Sequence, residues 1–78
     1  MEGKKMADFK FEITEHIAQL SENKSGWTKE LTKVSWNDRP ASYDIRTWNE
    51  NYDKMGKGIT LTDDELRQLR DALNNLDL

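Results

Sequence analysis

The chain has 78 residues and a net charge of −3, and one small domain is all that this length supports. A domain of this size buries only roughly 60 % of its unfolded surface, so its core is thin and association with a second copy is a common remedy. There are no cysteines, which excludes disulfides, thiolate zinc sites and cysteine nucleophiles together.

Met1 to Ala7 is charged and no apolar run follows it, so neither a signal peptide nor a membrane span is expected, and the cytoplasm is the expected compartment. Charge is unevenly spread: residues 1–23 carry −2, residues 24–60 carry +2 and residues 61–78 carry −3. The centre is therefore mildly basic inside an acidic chain. Binding responds to the local field as well as to the total, so an anionic partner is not excluded.

Residues 1–8 read as a flexible N-terminal arm and residues 9–78 as the domain. Phe9, Phe11 and Ile13 alternate with Lys10, Glu12 and Thr14, the pattern of a half-buried strand. After Thr14 the phase breaks: Ile17 keeps it, whereas Ala18 and Leu20 require a bend or bulge. A helix over about Glu12 to Glu22 competes, because Ile13, Ile17 and Leu20 also fit a helical stripe; the long bent strand is the preferred reading. Ser21 to Gly26 is a turn by composition. Trp27 to Trp36 is a second strand, with Val34 and Trp36 on its core side and Lys29 and Lys33 pointing the other way, alongside Trp27. Asn37 to Pro40 is a turn, and Pro40, having no N–H, must sit outside a central ladder.

Ser42 to Trp48 alternates again. Tyr43 and Ile45 fall on the face assigned to the core, and Asp44, Arg46 and Trp48 fall on a working face. After a polar loop, Gly56-Lys57-Gly58 delivers a lysine between two residues that permit close backbone approach, and Ile59 to Leu61 forms a short fourth strand. Thr62-Asp63-Asp64-Glu65 is a capping box, flanked by Leu61 and Leu66 at the positions of a hydrophobic staple. Its three acids suit the positive end of a helix dipole. Leu66, Leu69, Leu73 and Leu76, with Ala72 beside them, then make one apolar stripe. The fold class is α+β: a four-stranded antiparallel sheet followed by one C-terminal helix.

Catalysis has little to work with. His16 is the only histidine and reads as an ordinary strand position; no Ser–His–Asp set and no His/Cys metal spacing can be assembled without a second such residue. The acids at 63–65 are accounted for by the helix cap, and Gly56-Lys57-Gly58 lacks the spacing of a nucleotide-phosphate loop. No enzymatic activity, metal or cofactor is expected. The stronger signal is tryptophan beside cation: Trp27, Trp36 and Trp48 accompany Lys29, Lys33 and Arg46. Single-stranded nucleic acid needs that combination, π-faces on which bases stack and cations that track phosphates. The plain alternative uses the tryptophans as core and the lysines as solvated rim, and Trp36 in particular reads as core.

With these pieces in order, the chain resembles the C-terminal domain of the transcriptional coactivator p15 (positive cofactor four), and within that family its small bacterial YdbC-like branch. The residues that carry the resemblance are Val34-Ser35, Asp44-Ile45-Arg46 with an aromatic just after, and Lys57-Gly58-Ile59-Thr60-Leu61 before the acidic helix start. The resemblance implies a homodimer packed partly through its helices, with single-stranded DNA held across curved sheets. It implies DNA-contacting roles for Arg46 and Lys57 and an aromatic role for Trp48. The turn at Asn37 to Ala41 is shorter than in the eukaryotic relatives, so Trp36 or Arg39 would replace their stacking residue. The Ser- and Lys-rich arm of those relatives is absent, and with it the basis for control by phosphorylation or a coactivator role.

The expected function is non-enzymatic, largely sequence-independent single-stranded DNA binding in transcription or DNA maintenance, in the cytoplasm and associated with the nucleoid. The expected contacts are Trp27, Lys29, Lys33, Trp36, Arg39, Arg46, Trp48 and Lys57, and the expected dimer interface is Leu66, Leu69, Leu73 and Leu76. An RNA-binding module using the same groove and a protein-interaction domain are the alternatives.

Overall fold

The computed structural model describes residues 10–78, so the expected arm and Phe9 lie outside the described residues. Four strands and a helix follow one another: β1 (Phe11–Glu22), β2 (Thr28–Trp36), β3 (Ser42–Trp48), β4 (Met55–Leu61) and α1 (Asp63–Asn74). The strands pair antiparallel in chain order, a simple meander with β1 and β4 at its edges. This is the α+β architecture expected. The fourth strand begins earlier than its apolar residues suggest, because Gly56, Lys57 and Gly58 belong to the ladder.

β1 uses 12 residues against the 9 of β2. Its register steps between Ile13 and Glu15, between His16 and Ala18, and between Gln19 and Ser21. Each step leaves one extra residue in turn: Thr14, Ile17 and Leu20. A bulge bends its strand and raises the local twist, so three at a constant interval coil β1 along its partner. Ile13, His16, Gln19 and Glu22 all come to oppose Val34, Thr32, Glu30 and Thr28. The long bent strand is thus the correct reading and the helix is not; a bulge every third residue imitates helical spacing.

The first turn starts later than expected, since Ser21 and Glu22 remain in β1. Asn23 then organises it: its Oδ1 accepts from the backbone of Ser25 at 2.9 Å and of Trp27 at 3.0 Å. In the second hairpin Asn37 and Asp38 have φ of 52° and 64°, and the Arg39 N–H donates to the Trp36 carbonyl at 3.0 Å. Two left-handed residues at the centre of a tight turn match the twist of the flanking strands, and Asn and Asp tolerate that conformation best after glycine.

Register decides which side chains share a face. Thr28, Glu30, Thr32 and Val34 lie opposite Trp48, Arg46, Asp44 and Ser42, while Lys29, Leu31 and Lys33 lie opposite Thr47, Ile45 and Tyr43. The first set forms the face that the protomer buries most completely: Thr32, Val34, Asp44 and Trp48 are wholly inaccessible and Glu30 is 4 % exposed. Phe11 lies 5.3 Å from Trp48 between ring centroids, and Tyr52, from the β3–β4 loop, lies 6.1 Å from it. The expectation that Tyr43 and Ile45 mark the core side of β3 is therefore corrected. They are half-buried, and the alternate residues are the interior ones.

α1 covers the opposite face, beside Leu31 and Tyr43. Its cap is as expected: Thr62 Oγ1 accepts from the Glu65 N–H at 3.1 Å and Glu65 Oε1 from the Thr62 N–H at 2.8 Å. No residue of the helix is buried. Leu69 and Leu73 are exposed, Leu76 lies just beyond the last helical residue, and Leu66 is half-buried. Between helix and sheet runs an open apolar groove of about 480 Å³ bordered by Leu31, Tyr43, Leu66, Leu69 and Leu73.

Candidate nucleic-acid interface

The helix-free face is built around Arg46. Its Nε donates to Asp44 Oδ2 at 2.7 Å and its Nη2 to Asp44 Oδ1 at 2.9 Å, a two-point ion pair, and Nη1 approaches Met55 Sδ at 3.3 Å. Thr60 Oγ1 donates to the same carboxylate at 3.1 Å. The guanidinium also lies 4.7 Å from the centroid of Trp36, a cation–π stack. Gly58, directly opposite Arg46, makes the arrangement possible. A Cβ there would collide with Arg46 Cβ, sit 2.5 Å from the Ile45 carbonyl oxygen and sit 2.9 Å from Arg46 Nε. The glycines around Lys57 thus serve packing over β3.

Arg46 is consequently not the freely available cation that its sequence position suggests. Its side chain is 15 % exposed and its charge is balanced by a buried carboxylate. All three of its guanidinium nitrogens are engaged, and the guanidinium lies over the Trp36 ring. Trp36 is half-buried at the hairpin end of this face, with Phe11 at 6.0 Å. Exposed Arg39 is held to the same corner by its backbone bond to Trp36 and by Ser35 Oγ, which donates to its carbonyl at 2.6 Å. Lys10 reaches that corner too, pairing with Asp38 at 2.9 Å. The structure therefore brings the side chains of Trp36 and Arg46 together, with the backbone of Arg39 at the same corner.

The remaining expected contacts separate. Trp48 shares the face of Arg46 but is fully buried between Phe11 and Tyr52, so its ring is core and not an accessible stacking platform in this structure. Lys29 and Lys33 lie on the helix-bearing face, where Lys33 Nζ stands 5.1 Å from the centre of the Tyr43 ring. Lys57 is exposed on edge strand β4, at the register step between the Arg46–Gly58 and Trp48–Met55 pairs. Trp27 is half-buried at the mouth of the first turn. The sheet divides cations and tryptophans that sequence alternation had suggested were neighbours.

Sequence reasoning missed a second polar centre on the same face. The carboxylate of Glu30, opposite Arg46 across the ladder, accepts from Thr28 Oγ1 at 2.6 Å and Tyr52 Oη at 2.6 Å, and meets His16 Nδ1 at 3.2 Å. Burial by itself would raise the Glu30 carboxyl, but the hydrogen bonds from Thr28, Tyr52 and His16 and the His16 charge outweigh it and hold it below its usual range. The same bond to Glu30, followed by burial, raises Tyr52. One signal could have revealed the centre: Glu30 alternates onto the face of Val34 and Trp36, and an acid on a core face needs partners.

Among the described residues there is no group of three or more His, Cys, Asp or Glu able to hold a metal ion, and no helix is long and apolar enough to cross a membrane.

The chain is thus a four-stranded meander backed by one helix, with an arginine–tryptophan stack on its open face. The chain belongs to the family described as Transcriptional Coactivator p15 (PC4), which it matches over residues 23–72, from the first turn to near the end of α1. That family is known for nucleic-acid-binding and coactivator roles. The chain is also 49 % identical over 71 residues to an uncharacterised protein of Treponema pallidum (strain Nichols), which covers 91 % of this chain and 84 % of that protein.

Proposed function

We propose that this protein is a non-enzymatic single-stranded DNA-binding homodimer, working in the nucleoid-bearing cytoplasm and binding most sequences with similar strength. The observation that carries the reading is the Trp36–Arg46 stack: a half-buried aromatic ring backed by a fixed guanidinium, with the backbone of Arg39 beside it. Trp36 stacks on a base. Arg39 and the partly exposed side chain of Arg46 meet phosphates. Lys57, at the edge strand between two glycines, takes the next phosphate as the nucleic acid crosses that edge. Lys29 and Lys33 then add to the field from the far face, and Trp27 extends the aromatic surface at the opposite end of β2.

The dimer is supported by the helix. Leu69, Leu73 and Leu76 are 38 %, 47 % and 56 % exposed beside an open apolar groove, and Ile59 on β4 is 55 % exposed. A two-fold contact through Leu66, Leu69, Leu73 and Leu76 would cover this surface, and self-complementary contacts of that kind are the commonest oligomer interface.

Fluorescence anisotropy of a labelled oligo-dT at increasing salt tests the function. Saturable binding whose log affinity falls with log salt at about 0.7 per phosphate neutralised is the expected result. Absence of binding, or affinity indifferent to salt, would overturn it. A matched RNA competitor, which should displace the DNA less effectively, separates the DNA reading from an RNA one.

A further inference from the structure

The Glu30 centre does more than close the core. It forms the inner wall of a pocket of about 390 Å³ lined by His16, Ile17, Ala18, Gln19, Glu30 and Tyr52. The pocket lies on the helix-free face, six residues along β2 from Trp36, or about 20 Å at the rise of a strand. A nucleic acid stacked on Trp36 and following the strand direction passes over it.

The pocket is an open depression, and three features shape it. First, a carboxylate that is nearly inaccessible stands at its base, with no Lys or Arg bound to it among the described residues. A negative group on a phosphate-tracking face repels backbone and favours a ligand that presents hydrogen-bond donors. Second, Tyr52 is held in place by its own loop. It has φ of 59°, a left-handed conformation uncommon outside glycine and asparagine. Asn49 imposes it: the Asn49 carbonyl accepts from the Tyr52 N–H at 3.1 Å, and Asn49 Oδ1 accepts from the backbone of Asp53 and Lys54, each at 3.0 Å. The loop spends strain to set this ring over Glu30. Third, the rings of His16 and Tyr52 meet edge to face at 5.0 Å, and Ile17 and Ala18 supply apolar contact, so the walls suit a flat ring.

The hydrogen-bond inventory narrows the ligand. Glu30 Oε2 already accepts from Thr28 and Tyr52, whereas Oε1 has only the longer contact to His16. One acceptor site therefore remains. We propose that this pocket takes one flipped-out base of the bound strand, selecting a base with an exocyclic amino group, cytosine above all, which donates to Glu30 Oε1 while its ring lies against Tyr52 and His16. Thymine presents a carbonyl in place of that amino group and offers the carboxylate only its ring N3–H. The proposal rests on the single-stranded DNA reading and adds a local preference to it.

The test is competition between oligo-dC and oligo-dT of equal length against one labelled strand, with wild-type protein and with Glu30→Gln. The wild type should prefer oligo-dC by about fivefold to tenfold, within the range for one base contact. The variant should lose that preference and keep its salt dependence. Because Glu30→Gln touches a buried network, amide chemical-shift mapping on the wild type provides a second readout: oligo-dC should move residues 16–19, 30 and 52, and oligo-dT should leave them in place while moving the Trp36 corner. Equal affinity for the two oligomers, or unmoved pocket amides with oligo-dC, overturns the pocket alone. Failure to bind either oligomer overturns the underlying DNA reading as well.

Discussion

Asp44 and Arg46, two residues apart on one face of β3, form a two-point ion pair in which the carboxylate is completely buried and the guanidinium nearly so. Its consequence is that the arginine most naturally assigned to phosphate is also a structural cation. Removing one member of a buried pair strands the other, and that costs about 3–5 kcal/mol. Arg46→Ala should therefore lower stability by that order in denaturant unfolding, before any effect on binding is counted. The double replacement Asp44→Ala with Arg46→Ala should cost less than the sum of the two single ones. Additive losses would mean that the pair is not coupled.

The two tryptophans of the helix-free face should respond oppositely. Trp48→Ala removes a wholly buried ring and should cost about 3–5 kcal/mol of folding stability. Trp36→Ala should leave the domain folded at moderate temperature and cost about 1–3 kcal/mol of oligonucleotide affinity, the worth of one stacked base. Unfolding curves and anisotropy titrations on both variants separate the roles.

Stability should depend on pH through Glu30 and Tyr52. The folded pKa of Glu30 lies below its model-compound value of 4.5, so its contribution is present above that value and is lost as pH falls through the lower folded one. Tyr52 is raised above 10.0, so its contribution is present below that value and is lost as pH rises through the folded one. Denaturation midpoints measured across pH should fall at both ends, and Glu30→Gln should flatten both, because the first titration is that of Glu30 itself and the second shift depends on the bond from Tyr52 to Glu30.

The helix stripe makes a separate prediction. Leu69→Asp or Leu73→Asp places charge on an exposed apolar strip without emptying any core. Sedimentation equilibrium should show the wild type as a dimer and either variant as a monomer with retained secondary structure. A monomeric wild type would contradict the proposed dimer.

Much of this fold was legible in the chain because local rules were sufficient. The capping box from Thr62 to Glu65 and the leucine spacing define α1 by themselves, and alternation reveals β2 and β3. β1 was harder, since three bulges replace a two-residue period with a three-residue one. The faces were misassigned for a different reason. Alternation says which residues share a side of one strand, but only pairing says which sides of two strands coincide. Choosing Tyr43 and Ile45 as interior put Arg46 and Trp48 outside; the register of β2 with β3 reverses this and separates them from Lys29 and Lys33. The thinness of the apolar composition hid the rest. This interior includes Glu30, Thr32 and Asp44, which no hydrophobicity pattern would select.

The measurement that bears most directly on the account is fluorine NMR of protein labelled with 5-fluorotryptophan, titrated with oligo-dT. Trp27, Trp36 and Trp48 give three resonances, assignable by single replacements with phenylalanine. The account predicts that the Trp36 signal shifts most, saturates, and recovers as salt is added, while that of buried Trp48 stays nearly fixed. An unmoved Trp36 signal under conditions where anisotropy reports binding would contradict it, and would move the nucleic-acid site to the helix-bearing face with Lys29 and Lys33.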